Sequence, residues 1–197
     1  MNSTNPKFAF QGLDHIALIC SDMAATTDFY HRKLGMPILH TLEYHGEGGE
    51  VVGQHFFFGV GDREAHIAMF WWKDGYQGIP KEQFAPLPKP RNPRAGPIGS
   101  LLHLNLRVAP DRIEEYCHKL KAEGIDFRHA VRYFDPQNPE VMRAVNSRNA
   151  YTPPGENALM DSVYFFDPDG IGLEFNAWLP QWATWPNHHV PLANVPV

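Results

Sequence analysis

The sequence predicts an α+β fold built from two copies of one module, a strand and a helix followed by about three strands. Three observations predict it: a strand pattern that occurs twice, a helix signal directly after each copy, and a proline-dense stretch between the copies. Residues 13–20, LDHIALIC, alternate so that Leu13, His15, Ala17 and Ile19 share one face. Residues 101–108, LLHLNLRV, repeat the pattern, with Leu101, His103, Asn105 and Arg107 on one face, so His15 and His103 are equivalent positions.

Each strand leads into a helix. In the first, Ser21 is the expected N-cap, Met23, Thr27, Tyr30 and Leu34 form the stripe, and Gly35 ends it. In the second, Pro110 suits the first turn, and Asp111, Glu114 and Glu115 sit at the positive end of the helix dipole. There Ile113, Tyr116, Cys117 and Leu120 form the buried stripe and Gly124 closes the helix. Strands are expected over 37–44, 51–60 and 66–72, then over 128–134, 162–166 and 172–178.

The modules therefore occupy residues 10–79 and 100–178, joined by a connector over 80–99 whose prolines (80, 86, 88, 90, 93 and 97) forbid a central strand or a helix. Residues 135–157, polar and rich in Asn, Pro and Arg, read as a long loop and a candidate lid. The tail over 179–197 carries Trp182 and Trp185 among prolines, an extended arm expected to pack on the domain or on a second subunit.

With 197 residues, 43% hydrophobic and 20% charged, the chain buries a real core and is neither disordered nor fibrous. A net charge of -5 lacks the Lys/Arg surplus that nucleic acid or an anionic membrane demands. No apolar run reaches the roughly 20 residues of a membrane helix, and the start MNSTNPKFAF lacks the order of a signal peptide. Two cysteines, Cys20 and Cys117, are too few for a disulfide framework, so the expected setting is the reducing cytoplasm.

Eleven histidines invite a search for a metal site. Matched histidines of duplicated units meet near the pseudo-twofold axis if their strands face each other, and Glu174, inside IGLEFNAW, is a carboxylate costly to bury unless paired or bound to metal. Two imidazoles and one carboxylate on one side of a divalent ion leave positions open for substrate and O2, the arrangement of non-haem Fe(II) oxygenases. Fe(II), Mn(II) and Zn(II) all suit these donors.

The double module, with LDHIALI, LLHLNL and YFFDPDGIGLEF, resembles the vicinal oxygen chelate superfamily of glyoxalases, bleomycin-resistance proteins and extradiol dioxygenases over roughly residues 10–178. The resemblance implies a partly closed mixed β-barrel around a metal held by His15, His103 and Glu174. The run from Tyr164 through Asp167, Pro168 and Gly170 to Glu174 is similar to the extradiol ring-cleaving signature, which implies that Tyr164 hydrogen-bonds the substrate hydroxyl. An ordinary strand aromatic is the competing reading of Tyr164. Where that signature carries a histidine, this chain has Asn157, which cannot shuttle a proton near neutral pH, although His129 or His55 could substitute for it.

The first-half counterpart of the Glu174 strand is HIAMFWW, which lacks a carboxylate. Met69 or Ala68 there favours a three-ligand site, unless His66 turns inward as a fourth ligand. The leading expectation is a dioxygenase that opens a catechol-type aromatic with Fe(II) and O2, Tyr164 and Asn157 assisting. Phe56, Phe58, Phe70 and Trp72 are expected in the core or walling an apolar pocket, and one of Arg132, Arg143 and Arg148 is a candidate for a substrate carboxylate. The alternatives are a glyoxalase- or epimerase-like lyase or isomerase, and a non-catalytic small-molecule binder. The resemblance also implies a homo-oligomer, a dimer or higher.

Overall fold

A computed structural model of the chain describes residues 14–61, 65–74, 101–135 and 137–181. The connector, most of the tail and Leu13 lie outside them. The chain divides into two compact units, residues 1–102 with 167–171, and residues 103–166 with 172–197.

The first unit holds a four-stranded sheet in the order β1-β4-β3-β2, from β1 (His15–Ile19), β2 (Ile38–His45), β3 (Val51–Gly59) and β4 (His66–Trp72). β1 and β4 run parallel and the other pairs antiparallel, as a strand-helix-strand entry followed by a meander requires. The helix α1 (Met23–Thr27) is capped by Asp22 and not by Ser21: the Asp22 carboxylate accepts the amides of Ala24 and Ala25 at 2.8 and 3.0 Å. The Ser21 hydroxyl instead donates to the Asp169 carboxylate, leaving the cap to the residue that follows.

α1 then widens into a π-helical turn over Asp28–Lys33, where the Leu34 amide reaches back five residues to the Phe29 carbonyl at 3.0 Å. The wide turn shifts the phase of the helix, so the buried residues are Met23, Thr26, Phe29 and Tyr30 in place of the regular stripe ending in Leu34. Tyr30 packs on Phe58, and both are wholly buried beside Ile67 and Met69. Each such side chain contributes roughly 1.5–3 kcal/mol by leaving water. Gly35 ends the turn at φ +72°, in the left-handed region.

The second unit holds a five-stranded sheet in the order β5-β9-β8-β6-β7, from β5 (Leu104–Arg107), β6 (Phe127–Asp135), β7 (Asn138–Arg148), β8 (Ala158–Phe166) and β9 (Gly172–Trp178). A 3-10 turn over Pro110–Arg112 opens α2 (Ile113–Ala122), whose Ile113, Cys117 and Leu120 are buried as expected. Residues 135–157 are not one continuous loop: 138–148 form β7, paired antiparallel with β6 from Arg128↔Arg148 to Asp135↔Asn138. Nor does either sheet close on itself as a barrel. Each is open, with β1 and β2 the edges of the first and β5 and β7 those of the second.

Alternation sorts the two faces of the second sheet. One, carrying Phe127, Val163, Phe165 and Leu173, is buried, and α2 packs against β6 and β8. The other carries Asn105, Glu174, Tyr164 and Arg128, which the strand pairing sets in one row across β5, β9, β8 and β6.

Candidate metal centre

Glu174 lies mid-strand on β9 at 4% exposure, a carboxylate that this polar row keeps from being stranded in the core. His103 precedes β5 and is half-buried, and its Nε2 stands 2.8 Å from Glu174 Oε2. Two of the three predicted ligands, 71 positions apart in the sequence, are thus brought together. At that distance the two are in direct polar contact, and an imidazole nitrogen with a buried carboxylate oxygen is also the donor chemistry of a divalent cation, so the pair fits a metal. Tyr164, the Cα partner of Glu174, lies beside that carboxylate on the same face and meets the His103 ring edge-on at 6.0 Å. Burial, then the Glu174 carboxylate, pushes its phenol pKa up, so near neutral pH Tyr164 keeps its proton. Behind them the Ser162 hydroxyl donates to Asn176 Oδ1 at 2.9 Å, both side chains buried.

His15 lies on β1 in the first unit. Its Nδ1 is engaged by the Asp14 carboxylate, which fixes the tautomer and leaves Nε2 for a ligand. That hydrogen bond holds the Asp14 carboxyl below its ordinary value. His15 and His66 are Cα partners in the parallel β1–β4 pair, and both meet the Phe57 ring edge-on, at 6.0 and 6.2 Å. Register places Ala68 at the counterpart of Glu174, since Ala17 pairs Ala68 where Asn105 pairs Glu174. Within either unit taken by itself, no three His, Cys, Asp or Glu side chains among the described residues are gathered to hold a metal.

Asn157 is not brought to this row. It occupies the turn before β8 at φ +62°, and six extended residues separate it from Tyr164, roughly 20 Å along the strand. Its identity answers to the turn, since Asn tolerates the left-handed region. His129 is wholly buried on the opposite, helix-covered face, paired with Asp161, so it is no proton shuttle for this row. The four aromatics also divide: Phe58 is core, while Phe70 stacks on His55 at 3.5 Å and on Trp72 at 6.5 Å, on the other face of the first sheet. The residue that sequence reasoning missed is Arg128, whose guanidinium lies 4.2 Å from the Tyr164 ring centroid. Its place in the alternation of β6 was the available signal.

Paired strand-helix-meander units, one of them with a buried carboxylate and an imidazole converging on an open sheet face, define a duplicated chelate-type scaffold. The family model described as the Glyoxalase/Bleomycin resistance protein/Dioxygenase superfamily matches residues 12–175, and the chain belongs to that superfamily. No match was found among curated proteins. Among solved structures, SMU.1112c is similar at 21% identity and a TM-score of 0.50, over 84% of this chain and 98% of that one. A glyoxalase family protein from Enterococcus faecalis is similar at 23% identity and a TM-score of 0.48, over 85% and 98%. The fosfomycin resistance protein FosX from Listeria monocytogenes, complexed with Mn(II) and sulfate, is similar at 17% identity and a TM-score of 0.48, over 89% and 98%. Among the described residues no helix is long and apolar enough to cross a membrane.

Proposed function

We propose that the chain is a metal-dependent oxidoreductase of the extradiol type, in which His15, His103 and Glu174 hold Fe(II) and a catechol-type aromatic is opened with O2. The observation that supports this reading is the 2.8 Å approach of His103 Nε2 to the buried Glu174 carboxylate. Fe(II) bound there would supply the electron transfer between a chelated diol and O2, and Mn(II) or Zn(II) would suit the same donors. Glu174 contributes fixed negative charge, and Tyr164, protonated, offers its hydrogen bond to a diol oxygen. Asp14 holds the His15 ring in orientation.

The test is oxygen uptake by anaerobically Fe(II)-loaded protein offered a panel of catechols. Uptake with at least one catechol, lost in Glu174→Gln, is expected. No uptake with any catechol overturns the reading.

One observation favours a second reading. His66 stands in register with His15, on the face that also carries Phe57. A fourth imidazole there would suit a glyoxalase- or epimerase-like reaction, in which the metal polarises a carbonyl or enediolate without redox change. Turnover with Zn(II) or Ni(II) and a metal affinity that falls in His66→Ala would favour it. Metal-free purification, with ligand binding untouched in His103→Ala, would instead favour a binding protein.

A further inference from the structure

The face that carries Glu174 is cationic although the chain is not. Strand pairing puts Arg107, Arg128, Arg132 and Arg148 on it, and among the described side chains Glu174 is the one carboxylate there, in a protein of net charge -5. Arg148 is answered by Asp126 at 3.5 Å, outside the strands. Arg128 and Arg132 have no carboxylate partner among the described residues. Arg128 donates to Asn146 Oδ1 at 2.6 Å, and Arg132 donates to Ser162 Oγ at 3.5 Å. Each guanidinium has five N–H groups, so most of this donor capacity is uncommitted.

Both guanidiniums lie against one ring, at 4.2 and 5.4 Å from the Tyr164 centroid. Cation-π contact fixes the plane of a guanidinium and leaves its N–H edge facing outward. Holding two like charges beside one phenol is unfavourable by itself, and a bound anion relieves it. A planar carboxylate, which accepts two parallel N–H bonds, is the complement of such an edge.

We propose that Arg128 and Arg132 are specificity-determining residues that bind a carboxylate borne by the substrate. The site then takes an aromatic acid carrying adjacent oxygens in preference to a neutral diol. This rests on the reading of the Glu174 row as the place where substrate binds. Arg132 is half-buried and Arg128 more exposed, and β8 lies between their strand and β9, so a carboxylate held by them sits two strand positions from Glu174.

The experiment is calorimetric titration of the full-length protein with 3,4-dihydroxybenzoate and with catechol, with and without Mn(II), at low and high salt. The acid is expected to bind at least tenfold more tightly, the gap narrowing with salt. Arg128→Met with Arg132→Met should erase the gap while catechol affinity holds, and Arg128→Lys with Arg132→Lys should restore part of it. Equal affinities in the wild type, a preference that survives the double Met variant, or no binding of either compound overturns the proposal. Mn(II) binding, followed separately by electron paramagnetic resonance, distinguishes the two readings. Metal bound without acid preference sinks this inference alone, and acid preference without metal sinks the metal reading alone.

Discussion

The Tyr30 hydroxyl donates to Asp167 Oδ2 at 3.1 Å, joining residues 137 positions apart in the sequence. Asp167 Oδ1 accepts the amides of Asp169 and Ile171 at 3.0 and 2.7 Å, so one buried carboxyl organises the whole DPDG turn. Burial pushes its pKa up from 3.8 to about 6, against the hydrogen bonds from Ile171 and Tyr30, and the nearby Asp169 charge adds to the rise.

The raised value means that the folded state holds this proton more tightly than the unfolded chain. Its contribution to stability is full below about 3.8 and is lost as pH rises through about 6. A two-unit rise corresponds to at most about 3 kcal/mol. Asp167→Asn should therefore gain in melting temperature relative to wild type between pH 4 and 6.5. Parallel melting profiles across that range would refute it.

On the helix-covered face, His129 Nε2 lies 2.5 Å from Asp161 Oδ1, the pair wholly enclosed. The Thr152 amide donates to His129 Nδ1 at 3.4 Å, tying the stretch after β7 to the sheet. Removing one partner strands the other, so His129→Leu or Asp161→Leu should each cost about 3 kcal/mol. The double Leu variant should cost less than either single. Urea unfolding measures all three, and additive losses would contradict the pairing.

Gly53 is the Cα partner of Trp72, whose ring lies across the bare backbone and packs on Tyr44 at 4.9 Å. A Cβ at position 53 would fall well inside van der Waals contact with two Trp72 ring carbons, both in the six-membered ring. Gly53→Ala should displace the indole and cost about 1–3 kcal/mol. Intrinsic fluorescence and thermal melting report both effects, and an unshifted emission maximum would count against the contact.

Asn149 and Asn157 both sit at positive φ, 52° and 62°. Asn149 uses its side chain: its Oδ1 accepts the Phe127 amide at 2.8 Å and its Nδ2 donates to Asp126 at 2.9 Å. Asn149→Gly should cost about 1 kcal/mol, whereas Asn157→Gly should be neutral in stability and in kcat/KM. A large fall in turnover from Asn157→Gly would return that residue to the chemistry.

The repeat made most of this architecture legible. β4 and β9 run from His66 to Trp72 and from Gly172 to Trp178, the bounds expected of these β-rich runs, because each carries a dense set of buried apolar residues. β7 was not legible for the opposite reason. It is an edge strand whose Met142 and Val145 stay 47% and 50% exposed, so no buried face imposes an alternating pattern on it. The His103–Glu174 approach was legible from a carboxylate set among apolar strand residues and from the superfamily resemblance, whereas equivalence of position related His103 only to His15. The Arg128–Tyr164 contact and the Tyr30–Asp167 link depend on strand register and on a π-helical turn, neither of which a periodicity records.

Asp167 through Ile171 answer to Tyr30 and Ser21, while Glu174, three residues further on, answers to His103 and Tyr164. Five adjacent letters of the chain therefore serve carpentry, and their near neighbour belongs to the candidate site. A search pattern centred on DPDG would sort proteins by how their loops are built. A pattern that tests the proposed chemistry must reach the carboxylate three residues on and the guanidiniums two strands away.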